Sequence, residues 1–314
     1  MPPRVVFFGT PAFAVPPLAA LTKLADVVAV VCQPDKPVGR GNVVTAPPVK
    51  QFAVERGIEC RQPVKLRDGV VAQWLRELHL DVAVVVAYGR ILPPDVLAAP
   101  RLGCLNVHAS VLPRHRGAAR IQWAILSGDA ETGVTLMKMD EGLDTGPMLS
   151  IRRTPIDPDE AAPSLSERLC ALGVSLLEEE LGHYLAGLLT PVPQDHARHT
   201  LAPLLTREMA VIDWRRPPRA LHDQVRGLTP WPGTSTTLGA RRLMVHATRL
   251  DDPPTVLAGA PGEVVVVARD RVWVATGEGL LGLTELQLEN KKRLSAREFL
   301  AGHPLRSGTI LGQT

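Results

Sequence analysis

Aromatic residues and paired cysteines are scarce in this sequence. Phe, Trp and Tyr make up 4% of its 314 residues, so a hydrophobic core must rest on Val, Leu and Ala. The four cysteines lie far apart, with no CxxC pair and no histidine at the spacing of a zinc ligand. We therefore expect buried free thiols in a reducing compartment, no disulfide framework and no bound metal.

Long apolar runs are absent as well. The stretch MPPRVVFFGTPAFAVPPLAAL at the start has the charge and apolarity of a signal peptide, but Gly9, Pro11, Pro16 and Pro17 interrupt it. No other segment is long and apolar enough to cross a membrane. The sequence therefore predicts a cytoplasmic protein without a membrane partner, in which VVFFG is a first buried strand.

Positive charge is in slight excess and is unevenly distributed along the chain. The net charge is +3, and residues 201–314 hold 15 basic and 11 acidic side chains, a surplus of four positive charges. A polyanion contact is therefore more compatible with the C-terminal third, although a solvated surface explains so small a surplus equally well.

Short Val-rich runs alternate with amphipathic segments in the first half of the chain. The runs are RVVFFG (4–9), DVVAVVCQ (26–33), DVAVVVAYG (81–89) and CLNVHAS (104–110). Continuous apolar strands separated by helices indicate an α/β fold with a doubly wound, mostly parallel sheet of the Rossmann type. Ligands of such sheets bind beyond the carboxyl ends of the strands, so the residues after each run are candidates for a site.

The length predicts about two domains. Residues 161–189 have the pattern of a long helix, whereas 190–203 is polar, holds three prolines and lacks periodicity, which is typical of a linker. Short strands with Gly-containing turns follow and predict a small antiparallel barrel or sandwich. We place the domains at 1–189 and 207–314, joined by a linker at 190–206.

Asn106 and His108 are two residues apart at the end of a predicted strand, so their side chains share one face. On its own, the pair is more typical of satisfied polar residues at a strand end. The loop in GVTLMKMDEGLDTGPML (133–149) adds three candidate carboxylates, Asp140, Glu141 and Asp144. A carboxylate can orient a histidine while an amide donates to a developing oxyanion, and these roles suit acyl or formyl transfer to an amine.

Other chemistries lack their motifs. GxGxxG after the first strand, GxxxxGK[ST] and GxSxG are all missing, which disfavours dehydrogenases, P-loop enzymes and serine hydrolases. Cys104, His108 and Asp144 match no zinc spacing.

NVHASVLPRHRGAARIQ (106–122) followed by GVTLMKMDEGLDTGPML resembles the folate-dependent formyltransferases. GTPAFA, PDKPVGRG, AYGRIL, IDW (212–214), PWPG (230–233) and NKKRLSAREFL extend the resemblance over nearly the whole chain. Over that length, the chain resembles the members of this family that formylate initiator methionyl-tRNA. It implies a formyltransferase-like Rossmann-type catalytic domain, residues 1–189, and a C-terminal OB-like, tRNA-binding β-barrel.

The resemblance implies that Asn106, His108 and Asp144 form the catalytic set. The expected donor is 10-formyltetrahydrofolate and the expected acceptor is the methionine amino group of initiator methionyl-tRNA. AYGRIL (87–92) and DEGLD (140–144) are expected to wall the pterin pocket. The segment that binds the folate corresponds to Ser110, Val111, Leu112 and Pro113.

The resemblance also suggests where tRNA binds. The composition of the basic segment PDKPVGRGNVVTAPP (34–48) alone predicts a mobile loop without a function. The resemblance implies instead that this segment corresponds to a family insertion that reaches the acceptor stem of the tRNA. The tRNA-contact candidates are Arg40, Lys291, Lys292 and Arg293. A monomer is expected.

Two positions depart from the family pattern. Arg120 stands where the family usually has Pro after RGAA, and Leu204 stands where a basic residue is common. We expect neither to touch the catalytic set.

Three alternatives remain open. Formyltransferases of amino-sugar nucleotides share the Asn, His and Asp chemistry, and a 10-formyltetrahydrofolate hydrolase would use water in place of the amine. A tRNA- or folate-binding protein without activity is disfavoured because all three catalytic residues are present.

Overall fold

The computed structural model describes residues 1–39, 41–251 and 258–313. The chain forms two compact units. The first contains Met1–Arg120, Glu131–Pro155 and Ser166–Pro203, and the second contains Ile121–Ala130, Ile156–Leu165 and Leu204–Thr314.

The first unit is built on a seven-stranded sheet. The strands of this unit are β1 (Arg4–Gly9), β2 (Asp26–Val31), β3 (Lys36–Val38), β4 (Val43–Thr45), β5 (Glu59–Arg61), β6 (Val82–Val86), β7 (Cys104–His108), β8 (Arg116–Gly117), β9 (Glu131–Lys138), β10 (Met148–Pro155) and β11 (Leu201–Ala202). Two short pairs, β3 with β4 and β8 with β11, lie outside the seven-stranded sheet. The sheet order is β10-β9-β7-β6-β1-β2-β5. β5, β2, β1, β6 and β7 pair in parallel, while β9 and β10 are antiparallel. The predicted mostly parallel sheet is confirmed.

Helices accompany the strands of this sheet. They are α1 (Val15–Leu24), α2 (Pro48–Glu55), α3 (Val70–Glu77), α4 (Pro94–Leu97) and most of α6 (Ala162–Leu185), with 3₁₀ turns at Ala12–Ala14 and His196–Arg198. Of α5 (Arg120–Leu126), only Arg120 belongs to the first unit. The side chains of β1 from Val5 to Phe8 are fully buried. Continuous burial along a strand requires cover on both faces, which explains why the strands read as unbroken apolar runs.

The chain reverses its direction of travel across the sheet at β1. From β1 it proceeds outward to β2 and β5, and it then returns to the other side of β1 to form β6 and β7. A crevice at the carboxyl ends of β1, β6 and β7 is the geometric consequence of this reversal. Asn106 and His108 lie at this edge.

The segment 34–48 differs from the mobile loop that its composition predicts. It contains the antiparallel hairpin of β3 and β4, and Lys50 joins the Asp35 carboxylate at 2.8 Å beside it. Arg40 lies outside the described residues.

The segment 190–203 differs from a plain linker because it packs within the first unit. β11 pairs with β8, and Val192 forms a bridge with Met148. The boundary between the predicted domains at 189 and 207 stays a prediction.

The second unit carries the C-terminal strands. Its elements are α7 (Pro218–Gly227), β12 (Thr234–Leu238), β13 (Arg241–Arg249), β14 (Val264–Val267), β15 (Val272–Ala275), β16 (Leu280–Leu288), β17 (Leu294–Ser295) and α8 (Ala296–Gly302), with a 3₁₀ turn at Glu208–Ala210. The sheet order is β12-β13-β16-β15-β14, and β17 pairs with β16. Antiparallel pairing is confirmed, but the strands described for this unit do not close, so the OB-like barrel is not confirmed.

No helix within the described ranges is long and apolar enough to span a membrane.

A buried ion pair stabilises the second unit. Arg226 and Asp223 are both buried, with 2.8 Å between Nη2 and Oδ1, and the Arg226 guanidinium also donates to the Glu160 carbonyl oxygen at 3.0 Å. Removing Arg226 leaves the buried Asp223 carboxylate with the half-exposed Arg219 as its ionic partner, at 3.2 Å, and removes the buried member of the pair.

Arg226→Ala is therefore expected to lower the free energy of unfolding by about 3 kcal/mol. Urea unfolding followed by tryptophan fluorescence measures this loss. Arg215→Ala is the matched control, because Arg215 forms an exposed ion pair with Asp213 and its loss is expected to leave the midpoint unchanged. Equal midpoints for the two variants would contradict the prediction.

Candidate active site

Asn106 and His108 are held in the middle of the sheet edge. Both lie on β7, where Asn106 pairs with Met137 and His108 pairs with Thr135 of β9. Both side chains are buried, and that of His108 is 0% exposed. Asp144 reaches them from the loop that joins β9 to β10. Its backbone is left-handed, with φ of 53°, an uncommon conformation for a residue with a side chain that often marks a functional site.

The Asp144 carboxylate joins three parts of the chain. One oxygen, Oδ1, accepts from the Asn106 amide at 3.4 Å and lies 3.5 Å from His108 Nδ1. The other oxygen, Oδ2, accepts the backbone N–H of Gly117 at 2.8 Å. The structure thus brings the three predicted catalytic residues together.

His108 is a neutral imidazole at physiological pH. Burial lowers its pKa to about 4; the positive charge of Arg120 acts in the same direction, and the Asp144 carboxylate opposes both. Its Nε2 lies 3.3 Å from the carbonyl oxygen of His115. The imidazole can therefore accept a proton, and the adjacent carboxylate would stabilise the resulting positive charge.

A cavity of about 280 Å³ opens beside these residues. Asn106 and Asp144 line it directly, while residues 87–92 form one wall and the 139–144 loop forms another. The AYGRIL and DEGLD segments therefore face the same cavity, as the sequence predicts. Its walls are mostly apolar, with few polar groups, which is typical of a pocket for a flat organic ligand.

A network that the sequence does not reveal supports the Asp144 loop. Gln194 donates through Nε2 to the carbonyl oxygens of Asp144 at 2.8 Å and Gly146 at 2.7 Å. Its Oε1 accepts from the buried guanidinium of Arg116 at 2.7 Å. Both side chains are buried, and Gln194 belongs to the segment predicted as a linker. The only sequence signal for Gln194 is a glutamine beside prolines in PVPQ.

The predicted folate-binding residues, which are Ser110, Val111, Leu112 and Pro113, do not line the cavity. Thr135 Oγ1 donates to the Ser110 carbonyl oxygen at 2.7 Å and accepts the N–H of Leu112 at 3.2 Å. These contacts fix the turn that follows β7, and a role in binding folate stays a prediction.

Arg120 corrects one expectation. Although it departs from the family pattern, it lines the same cavity as Asn106 and Asp144, and its charge acts on His108. The prediction that Arg120 stays away from the catalytic set is wrong, because the start of α5 returns the chain to this cavity. Leu204 is exposed and belongs to the second unit.

The basic C-terminal candidates lie at the turn between β16 and β17. Lys291 and Lys292 are exposed, whereas the Arg293 guanidinium is paired with the Glu285 carboxylate. All three side chains are exposed, and one of the three cations is already paired with a carboxylate.

Family models and relatives identify the chain. A model described as formyl transferase matches residues 3–181, and a model described as formyl transferase, C-terminal domain, matches residues 204–304. This chain belongs to the formyl transferase family. A relative from Myxococcus xanthus, named methionyl-tRNA formyltransferase, is 53% identical over 98% of this chain and 97% of its own length. One of the same name from Sorangium cellulosum is 49% identical over 99% and 100%.

Solved structures support the formyl transferase fold. WlaRD, a sugar 3N-formyl transferase solved in the presence of dTDP and 5-N-formyl-THF, matches with a TM-score of 0.69 at 17% identity, covering 93% of this chain and 100% of its own. HypX from Aquifex aeolicus, solved with tetrahydrofolic acid, matches with a TM-score of 0.61 at 18% identity, covering 99% of this chain and 51% of its own. At these identities, the likeness concerns the fold.

Gly146 tests the packing of the Asp144 loop in this formyl transferase. A Cβ at this position would collide with the carbonyl oxygen of Lys138, so the backbone must shift. Gly146→Ala is expected to cost about 2 kcal/mol of unfolding free energy and to displace Asp144. Urea denaturation measures the cost.

Gly182→Ala is the control for this substitution. Nothing lies within 4 Å of a Cβ placed at Gly182 in α6, so the alanine is expected to stabilise the helix by about 0.5 kcal/mol. Destabilisation of both variants to the same extent would show that the Lys138 contact is not the cause.

Proposed function

We propose that this protein transfers the formyl group of 10-formyltetrahydrofolate to the amino group of methionine on initiator methionyl-tRNA, for translation initiation. Its main support is the full-length identity of about half to relatives named methionyl-tRNA formyltransferase. The chemistry of the Asn106, His108 and Asp144 cluster agrees with it. In the reaction, the methionine nitrogen bonds to the formyl carbon, the bond from that carbon to folate N10 breaks, and one proton passes from the amine to N10.

Asn106 stabilises the negative charge on the formyl oxygen. The amide nitrogen carries two hydrogens, and one of them points to Asp144 Oδ1 at 3.4 Å. The second is available to the cavity that Asn106 lines. A fixed amide donor is more effective than water because it needs no reorientation as the charge develops.

His108 and Asp144 move the proton. The neutral imidazole accepts the proton that the amine loses, and the carboxylate 3.5 Å away stabilises the imidazolium until the proton passes to the leaving nitrogen. No covalent intermediate with the protein is required.

The lining of the cavity supports the assignment of the formyl donor. Ile91, Leu92, Met137 and Leu143 supply apolar walls for a flat pterin, and the buried Tyr88 hydroxyl has no hydrogen-bond partner among the described residues. A solved relative of the same fold carries tetrahydrofolic acid. The roles of Ser110, Val111, Leu112 and Pro113 in holding the folate are part of this proposal.

The tRNA contacts are assigned to basic positions of both units. Lys291 and Lys292 are exposed on the second unit, within the stretch 201–314 that carries the surplus of positive charge. Arg293 is the weaker candidate because Glu285 neutralises it. Arg40 completes the set on sequence grounds alone.

The amino-sugar nucleotide alternative shares this chemistry but has less support. WlaRD is 17% identical to this chain, compared with 53% for the Myxococcus relative. The proposal includes a monomer in the cytoplasm, domains at 1–189 and 207–314, and an OB-like barrel in the second of them.

The identity of the acceptor and the catalytic roles of Asn106 and Asp144 can be tested in one assay. Asn106→Ala is expected to lower kcat at least a hundredfold, since one oxyanion donor contributes roughly 3 to 4 kcal/mol. Asp144→Ala is expected to lower kcat to a similar extent because it removes the carboxylate that stabilises the imidazolium and accepts from Asn106. Formyl transfer to charged initiator tRNA is measured beside amino-sugar nucleotides, and release of tetrahydrofolate without an acceptor reports hydrolysis.

Circular dichroism spectra identical to wild type are the folding control. No formylation of methionyl-tRNA by the wild type would rule out the proposed function. A variant with near-normal kcat would remove that residue from the mechanism.

Lys292→Ala is expected to raise the Michaelis constant for tRNA and to reduce the slope of its logarithm against log salt by about one. Lys23→Ala removes an equal charge from the first unit and serves as the control. A salt slope that stays at the wild-type value in Lys292→Ala would exclude a phosphate contact.

A further inference from the structure

Arg120 is a cation in the wall of the catalytic cavity, at the first residue of α5. Its Nη1 donates to the carbonyl oxygen of Gly117 at 3.1 Å. Its Nε is buried and has no hydrogen-bond partner within the described part of the chain. A charged group partly removed from water with an unsatisfied donor is costly, so its presence here calls for a compensating interaction.

Gly117 connects Arg120 to the Asp144 carboxylate. Its N–H donates to Asp144 Oδ2 at 2.8 Å, while its own carbonyl oxygen accepts from Arg120. Its φ is +119°, and a Cβ at this position would lie 2.8 Å from the carbonyl oxygen of Ala202, so the backbone is fixed on a third side. Arg120 thereby holds the residue that anchors Asp144.

The Arg120 charge also reaches the groups around His108. Three charged or titratable side chains face this imidazole: Asp144 from the β9–β10 loop, His115 from the turn after β7, and Arg120 from α5. After burial, Arg120 is the largest cause of the low pKa of His108, and the Asp144 carboxylate in turn favours the charged form of Arg120. The guanidinium is thus the fixed positive charge of the cluster.

We infer that Arg120 is a positioning residue of the formyl-transfer site, which holds Asp144 through Gly117 and places a fixed positive charge in the wall of the cavity. This inference rests on the proposed function for its kinetic consequences, but its effect on His108 can be measured without turnover.

Three variants separate the charge from the hydrogen bond. Arg120→Met removes both, Arg120→Gln retains an amide donor without charge, and Arg120→Lys retains the charge. The first readout is the pKa of His108 in the folate-free protein, followed by NMR of ¹³C-labelled histidine, with the resonance assigned by its absence in His108→Asn. It is expected to rise by about one pH unit in Arg120→Met and Arg120→Gln and to match the wild type in Arg120→Lys.

The second readout is kinetic. Arg120→Met is expected to lower kcat roughly tenfold, less than loss of a direct oxyanion donor, and to move the acidic limb of kcat/KM to higher pH. Arg120→Lys is expected to recover most of the loss. Arg76→Met, which removes an exposed positive charge from α3, controls for net charge and is expected to change neither readout.

The two readouts distinguish failure of the inference from failure of the proposed function. An unchanged His108 pKa in folded Arg120→Met and Arg120→Gln would overturn the inference, whatever the activity. A raised pKa in a protein that transfers no formyl group to methionyl-tRNA would support the electrostatic role and reject the function. If Arg120→Met does not fold, the comparison of Arg120→Gln with Arg120→Lys carries the same test.

Discussion

The Asp144 carboxylate is the group on which the arrangement of the site depends. It lies between an amide, an imidazole and a backbone N–H, and each of these comes from a different position in the chain. In a partly buried site, a carboxylate requires such partners, because unpaired charge is costly away from water. The same requirement fixes the distances among Asn106, His108 and Gly117.

The parallel sheet makes this convergence possible. β6 and β7 end at one edge, so the 87–92 segment and Asn106 face the same cavity, while His108 is fully buried beside Asp144. The antiparallel β9 then returns the 139–144 loop to that edge. Buried strands supply a rigid frame, and the loops at their ends supply the chemistry.

Support for the Asp144 loop comes from segments that carry no catalytic motif. Gln194 donates to two carbonyl oxygens of the loop and accepts from Arg116, while Arg120 donates to the carbonyl oxygen of Gly117. The low pKa of His108 follows from the same packing, because burial and a nearby cation both disfavour the imidazolium. The structure therefore sets the proton affinity of the site as well as its geometry.

The sequence by itself determined several strands of the first sheet, β1, β2, β6 and β7 among them, and, through its resemblance to a family, the grouping of Asn106, His108 and Asp144. Apolar runs and local motifs are recorded in neighbouring residues, so they can be predicted without knowing the path of the chain. Only the tertiary structure decided that Gln194 supports Asp144, that Arg120 enters the cavity and that Ser110 to Pro113 lie outside its lining. These contacts join residues far apart in the chain or depend on how a turn is oriented, and neither composition nor spacing encodes that information.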